Sequence, residues 1–216
     1  MDNLLHQIFY GKCYLCEEFG RPICDVCLNK LVPVKTPYKL IGCKKVISFY
    51  EYNDISRRIL QISKYAPYEF FLLNYLSKIT FNKNKNDLLL FLKPNNSFIF
   101  CPVPLNSLRL YERKFNQSEE IALQLSEALK IPTFDILKRK KYTKPLFELS
   151  KEERRLELTG AFKPNYLAKL VKICGCKSIV LIDDLRTTSQ TLESCEKTLR
   201  NMGFKEVHFL TLFAKN

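Results

Sequence analysis

The sequence predicts an α/β fold, a mainly parallel sheet flanked by helices, with a small cysteine-rich module in front of it. Three observations lead there. Short apolar runs ended by turn residues recur at 45–52, 97–104, 178–182 and 206–214, as buried strands do. Apolar stripes at helical spacing fall between them, which gives the strand–helix alternation of a parallel sheet. Four of the nine cysteines crowd into residues 13–27, ahead of the first strand. The module is expected over 1–36 and the larger domain over 37–216.

Composition agrees. With 46% hydrophobic and 26% charged residues, 216 residues suffice for one sizeable core and a small appendage. Lys and Arg number 35 against 22 acids, a net charge of +13. That excess favours a polyanionic partner: nucleic acid, a phosphorylated ligand or an anionic membrane surface. A lysine-rich composition with no functional meaning explains it equally well, so charge does not choose among them. The longest apolar runs, 88–92 and 98–105, fall far short of the ~20 residues a membrane-spanning helix needs. Residues 1–13 lack the basic start and small-residue cleavage site of a secretory leader, so a cytoplasmic location is expected.

The module's cysteines, Cys13, Cys16, Cys24 and Cys27, read C-x2-C-x7-C-x2-C. Each pair is a hook able to give two thiolates to one tetrahedral ion, and Zn2+ suits four thiolates at about 2.3 Å. In a reducing compartment such a set points to a metal rather than to disulfides. An iron–sulfur cluster fits so compact a set less well. Gly20 and Pro22 place a turn between the hooks. Four ligands leave no open position, so a structural ion is expected. No recognition-helix pattern follows, and the module is expected to dock on the larger domain rather than read DNA.

A basic connector over 30–39 leads to the strand at 45–52. Asp54 is expected to cap a helix bearing Ile55, Ile59, Leu60 and Ile62, and Pro67 to start another over 67–79. Residues 81–87 read as a polar surface loop, and 97–104 as a strand running into a proline turn. Residues 119–130 are helical, with Ile121, Ala122, Leu125, Ala128 and Leu129 on one face and Asn116 as cap. A short strand is expected within 134–139. A charged, mobile loop and a polar helix fill 138–158, and an extended piece 160–164. Strand 178–182 is followed by a helix over 191–202 with Leu192, Cys195, Leu199 and Met202 inward. Gly203 suits its C-terminal end, and the last strand is 206–214.

Residues 179–191, IVLIDDLRTTSQT, carry the chemistry. One carboxylate at a strand end and one hydroxyl capping a helix are ordinary structure. Two carboxylates and four hydroxyls within nine residues exceed that need. In open α/β sheets ligands bind at the carboxyl ends of strands. Backbone N–H groups, hydroxyls and the positive end of a helix dipole together favour a phosphate there. Asp183 and Asp184 suit sugar hydroxyls, with Mg2+ to relieve their repulsion from the ligand. The stretch therefore reads as a sugar-phosphate site.

This stretch resembles the phosphoribosyl pyrophosphate (PRPP) motif of type I phosphoribosyltransferases. More of the chain is similar to the ComF family of competence proteins. The residues carrying that resemblance are the four cysteines, Lys64-Tyr65, PVPLNSLRLYERKFNQSEEIA at 102–122, TKPLFELSKEERRLELTGAF at 143–162, and the PRPP motif, in the same order. Ser189 stands where the family motif usually has Gly, and Gln190 is bulkier than usual; Gly is favoured there if the backbone needs a positive φ. The resemblance implies that Asp183 and Asp184 hold the ribose hydroxyls, directly or through Mg2+. It implies that Thr187, Thr188, Ser189, Gln190 and Thr191 cradle the 5′-phosphate, with Arg186 beside them. It implies that Leu105, Asn106, Ser107 and Arg109 approach the pyrophosphate, helped by Arg113. The run from Lys138 to Lys144 would close over the ligand.

Two functions follow. One is a DNA-uptake protein of natural transformation that binds PRPP and handles single-stranded DNA beside a helicase-type competence partner. Its location would be cytoplasmic, with peripheral attachment at the inner membrane left open. Cations interleaved with aromatics would serve it: Arg113 and Lys114 beside Phe115, and Lys138, Arg139, Lys140, Lys141 and Lys144 around Tyr142. The other is an active phosphoribosyltransferase, with Asp183 and Asp184 as the catalytic candidates, acting on a nucleobase or amine acceptor that the sequence does not name.

Overall fold

The computed structural model describes residues 11–65, 70–93, 98–140 and 151–215. A single turn, α1 (Asp25–Leu28), lies inside the cysteine module. Strands β1 (Tyr38–Ile41) and β2 (Lys44–Glu51) form an antiparallel hairpin, turned at Gly42 with φ +59°. Helices α2 (Asp54–Tyr65), α3 (Phe70–Lys83) and α4 (Lys85–Leu92) lead to β3 (Phe98–Pro102). Then come α5 (Ser107–Arg113), α6 (Gln117–Leu129), β4 (Leu137–Arg139), α7 (Lys151–Leu158), β5 (Phe162–Pro164) and α8 (Tyr166–Ile173). The chain closes with β6 (Ser178–Arg186), α9 (Gln190–Asn201) and β7 (Glu206–Ala214).

The five-stranded sheet has the order β1-β2-β7-β6-β3, parallel from β2 through β3, with β1 the antiparallel edge. Strands β4 and β5 make a separate antiparallel ribbon. Alternate residues of β6 explain the layers: Val180 and Ile182 join the core with α2, α3, α4 and α6, while Ile179 and Leu181 join the core with α8, α9 and the ribbon. Burial on both faces is why the parallel strands read as unbroken apolar runs. Cys13, Leu15, Ile23, Cys27 and Leu31 are buried in the first of these cores, so the cysteine module shares hydrophobic contacts with the larger domain.

Several expectations change. The cap of α2 is Asn53, whose Oδ1 accepts from Ser56 N at 3.0 Å, while Asp54 is the first helical residue. Residues 81–87 are not a loop. Phe81, Leu88 and Leu92 are fully buried, and helix is interrupted only at Asn84, whose Nδ2 donates to the Thr80 carbonyl at 2.8 Å. The buried side chains on one face outweigh the polar run on the other. Helix α8 was not expected: Asn165 caps it by accepting from Leu167 N at 2.9 Å, and Ala168 and Val171 point inward. Finally, β6 extends past Ile182 to Arg186 through pairing with β7, so the two carboxylates lie within the strand. The proposed start of a helix at Pro67 lies outside the described residues.

His208 on β7 is buried, and its Nδ1 accepts from Lys45 N at 3.1 Å. Burial, reinforced by Lys45, lowers its pKa to about 4. It serves as packing, not as a nucleophile or base at the sheet's ligand edge. Among the described residues, no helix is long and apolar enough to cross a membrane.

Candidate functional site

Pairing of β3 with β6 ends at Pro102↔Ile182, while β6 continues beside β7 to Arg186↔Ala214. Asp183 and Asp184 therefore emerge where the sheet has lost its edge strand. The gap is filled from the neighbouring helices. Ser118, in the first turn of α6, donates its hydroxyl to Asp183 Oδ1 at 2.8 Å, and Asp184 N donates to the same oxygen at 3.0 Å. Lys64, at the end of α2, pairs with Asp184 Oδ2 at 3.1 Å. Burial, then the Asp184 charge, push Asp183 up to about 7, against the pull of Ser118, the Asp184 N–H and Lys64. Two carboxylates held this way, with one lysine between them and solvent, suit a divalent cation or a ligand rich in hydroxyls.

The segment Asn116-Gln117-Ser118 builds this edge. Asn116 Oδ1 caps α6 by accepting from Ser118 N at 3.2 Å, and its Nδ2 donates to the Val103 carbonyl at 3.1 Å. Gln117 Nε2 donates to the Ser63 carbonyl at 3.4 Å, next to Lys64, and its Oε1 accepts from Arg113 at 3.3 Å. One helix start thus ties together the end of α2, the turn after β3 and the end of β6. The sequence marks Asn116 as a cap only. Lys64, Gln117 and Ser118 fall in segments that carry the family resemblance, but the sequence assigned them no role at the site, because it does not show which residues so far apart in the chain meet.

Past β6 the chain turns through Thr187, Thr188 and Ser189 into α9. Thr187 and Thr188 are exposed. Ser189 has φ +59° and makes no side-chain cap bond, so the first N–H groups of α9 are not taken by its side chain. The positive φ is the conformation glycine adopts freely, which accounts for the residue type the family motif usually carries here. Thr188 Oγ1 donates to Gln190 Oε1 at 3.1 Å, and both side chains line a groove of about 830 Å³ that runs along α9 past Lys197 and Asn201. Thr191 is the second residue of α9 and partly buried. Arg186 leans across β7, with Nε 3.5 Å from Ser48 Oγ on β2.

The turn after β3 places Leu105, Asn106 and Ser107 beside the edge. Asn106 is buried and caps α5 by accepting from Leu108 N at 3.0 Å. Arg139 differs from its neighbours. On β4 it is turned inward, its guanidinium 5.5 Å from the Phe162 ring centre, and it feels the charges of Arg109 and Asp183. Burial, then Arg109, lower its pKa. Lys138 and Lys140, on either side, are exposed. The basic run thus alternates across the strand instead of forming one face. Lys114 sits 3.9 Å over the Tyr111 ring on α5, while Arg113 turns back to Gln117. Lys141, Tyr142 and Lys144 lie outside the described residues.

In the cysteine module the Sγ atoms of Cys13, Cys16, Cys24 and Cys27 all lie within 4.8 Å of one another. Four thiolates around Zn2+ at about 2.3 Å would stand about 3.8 Å apart, so the set fits a tetrahedral ion. The chain positions them through a tight turn: Glu17 N donates to the Cys13 carbonyl at 2.8 Å, with Glu17 at φ +65°. Cys24 N points at Cys13 Sγ at 3.4 Å. Burial disfavours the Cys13 thiolate, but the backbone N–H groups of Cys24, Leu15 and Cys16 outweigh it and bring the pKa to about 7. Burial and the neighbouring sulfurs push Cys27 up to about 12. The cluster could hold a metal ion, whose charge would remove that conflict.

A parallel sheet with a carboxylate pair and a hydroxyl loop at its C-terminal edge is where open α/β sheets bind their ligands. The chain is similar to curated competence proteins. It is 37% identical to Competence protein F of Haemophilus influenzae over 107 residues, 49% of this chain. It is 25% identical to Competence protein ComFC of Streptococcus pneumoniae over 201 residues, 91% of this chain. The matches span 45% of the first relative's length and 82% of the second's. A purine phosphoribosyltransferase structure from Pyrococcus horikoshii aligns with 66% of this chain and 85% of its own, at 15% identity and a TM-score of 0.33. No protein-family model matches the chain.

Proposed function

We propose that this chain serves natural transformation, binding PRPP with Mg2+ at the β6 edge and single-stranded DNA on its basic surface. Similarity to two competence proteins supports the competence role. The single observation that carries the ligand is the juxtaposition at β6. Asp183 and Asp184 stand at the end of the strand that leads into α9, whose N-cap residue Ser189 makes no side-chain cap bond. Ribose hydroxyls would meet the carboxylates and the 5′-phosphate the loop Thr187–Thr191. Arg109 and Arg139 would meet the pyrophosphate. Zn2+ would hold the four cysteines as a structural ion, and Lys114 on Tyr111 offers an aromatic–cation surface for a base.

Calorimetric titration of the zinc-loaded protein with PRPP and MgCl2 tests the site. Binding is expected for the wild type and absent from Asp183→Ala/Asp184→Ala. A folded wild type that binds no PRPP would refute the ligand assignment. Single-stranded oligonucleotide binding that weakens steeply with salt is the second expectation.

A further inference from the structure

Helix α8 presents an apolar stripe that the described residues leave uncovered. Its inner face is fixed by Ala168 and Val171 in the core. On the outer face Tyr166, Leu170 and Ile173 are 71%, 51% and 80% exposed. Their spacing of four and three residues puts them in one line down the helix. Exposed apolar residues scattered singly mean little, but three in register on two turns form a seam of the kind one helix offers another.

The chain segment that carries the seam has charge of one sign. Residues 159–178 contain Lys163, Lys169, Lys172 and Lys177 and no acid. Lys163, Lys169 and Lys177 are exposed, and Lys172 donates to the Met202 carbonyl beside the helix. Asp135, just before β4, has its carboxyl pKa raised by burial, against the pull of the Leu137 N–H and of Lys138. A second copy of this chain would bring lysines against lysines, so self-association along α8 is disfavoured. A bilayer needs a broad apolar face, and α8 has a single row of three side chains above a helix that is tied down.

We infer that α8 is a docking surface for an acidic amphipathic helix of a protein partner. The partner's apolar row would lie along Tyr166, Leu170 and Ile173, with its Glu or Asp residues meeting Lys163, Lys169 and Lys177. This surface is separate from the β6 edge, so it stands or falls independently of the PRPP assignment.

The test uses the full chain and a synthetic amphipathic helix with leucines every third and fourth position and glutamates elsewhere. A second peptide carries lysines in place of the glutamates. Binding is followed by amide chemical shifts and fluorescence polarisation. The acidic peptide is expected to shift α8 resonances and to lose about tenfold in affinity for Leu170→Asp/Ile173→Asp. Both replaced residues are exposed, so the variant should melt as the wild type does, and Lys169→Glu gives a second, milder loss. Equal binding to wild type and variant, or equal binding of the two peptides, would overturn the inference. So would co-sedimentation with phosphatidylglycerol vesicles that depends on Leu170 and Ile173 while the acidic peptide fails to bind; that result would make the surface a lipid contact.

Discussion

Replacing Asp183 by Asn should stabilise the protein at alkaline pH and leave it unchanged in acid. The folded state raises the Asp183 pKa from 3.8 to about 7, first through burial and then through the Asp184 charge. A raised carboxyl pKa means the folded state binds the proton more tightly than the unfolded chain. Stability contributed by the protonated form is therefore present in acid and is lost as pH rises from about 4 through about 7. Three pH units at 1.36 kcal/mol each give a ceiling of about 4 kcal/mol. Asp183 keeps contact with solvent, and Lys64 lies near it, so about half of that, roughly 2 kcal/mol, is the expected gain for Asn at pH 8. For a chain of this size that is a rise in Tm of about 4–8 °C. Asn retains an oxygen to accept from Ser118 and from Asp184 N, so the comparison removes charge and little else. Thermal melts of both proteins between pH 4 and 8 provide the measurement. A difference that does not grow with pH, or an Asn variant less stable at pH 8, would refute the electrostatic account. The same carboxylate strain is what a cation would relieve, so MgCl2 should raise the wild-type Tm at pH 8 more than at pH 5.

Three further outcomes follow from the same geometry. Ser189→Gly should raise stability by about 1 kcal/mol, because Ser189 is held at φ +59°, where a Cβ is unfavourable; an unchanged or lower Tm would mean that the Ser side chain contributes something glycine lacks. Asn116→Ala should lower stability by about 2 kcal/mol in chemical denaturation, since it removes the cap of α6 and leaves the Val103 carbonyl without its side-chain donor. Removal of zinc by a strong chelator, or Cys27→Ser, should lower the Tm and abolish metal content measured by atomic absorption, because Cys13 and Cys27 are buried in the same core as the larger domain; metal content that survives Cys27→Ser would exclude the four-thiolate site.

The layered α/β fold was legible because burial on both faces writes parallel strands as apolar runs, and because caps and Gly203 punctuate the helices. The errors share a cause. Residues 81–87 look like a loop from their Asn and Lys content, yet Phe81, Leu88 and Leu92 belong to one buried face that only the packing of α3 and α4 reveals. Helix α8 was overlooked because its outward side is apolar, which blurs the helical period that the inward Ala168 and Val171 would otherwise mark. The end of β6 was set at Ile182 because carboxylates usually leave strands; pairing with β7 carries the backbone on to Arg186.

The candidate site was legible in its first layer and not in its second. Asp183, Asp184 and the hydroxyl loop are contiguous in sequence, so their chemistry can be read as a string. Lys64 reaches Asp184 from 120 residues earlier in the chain and Ser118 reaches Asp183 from 65, and only the fold brings them there. That second layer changes the meaning of the first. Asp183 is a carboxyl strained by burial and by its neighbour, and Asp184 is already engaged by a lysine. A ligand that brings a divalent cation gains from both facts: it relieves the repulsion, and it frees the Lys64 ammonium to turn toward phosphate oxygens. Ser189 acts in the opposite direction, since its backbone is already in the glycine-like conformation and the loop pays for that shape before any ligand arrives. Under the proposed function, PRPP binding and Tm should therefore respond separately to Ser189→Gly.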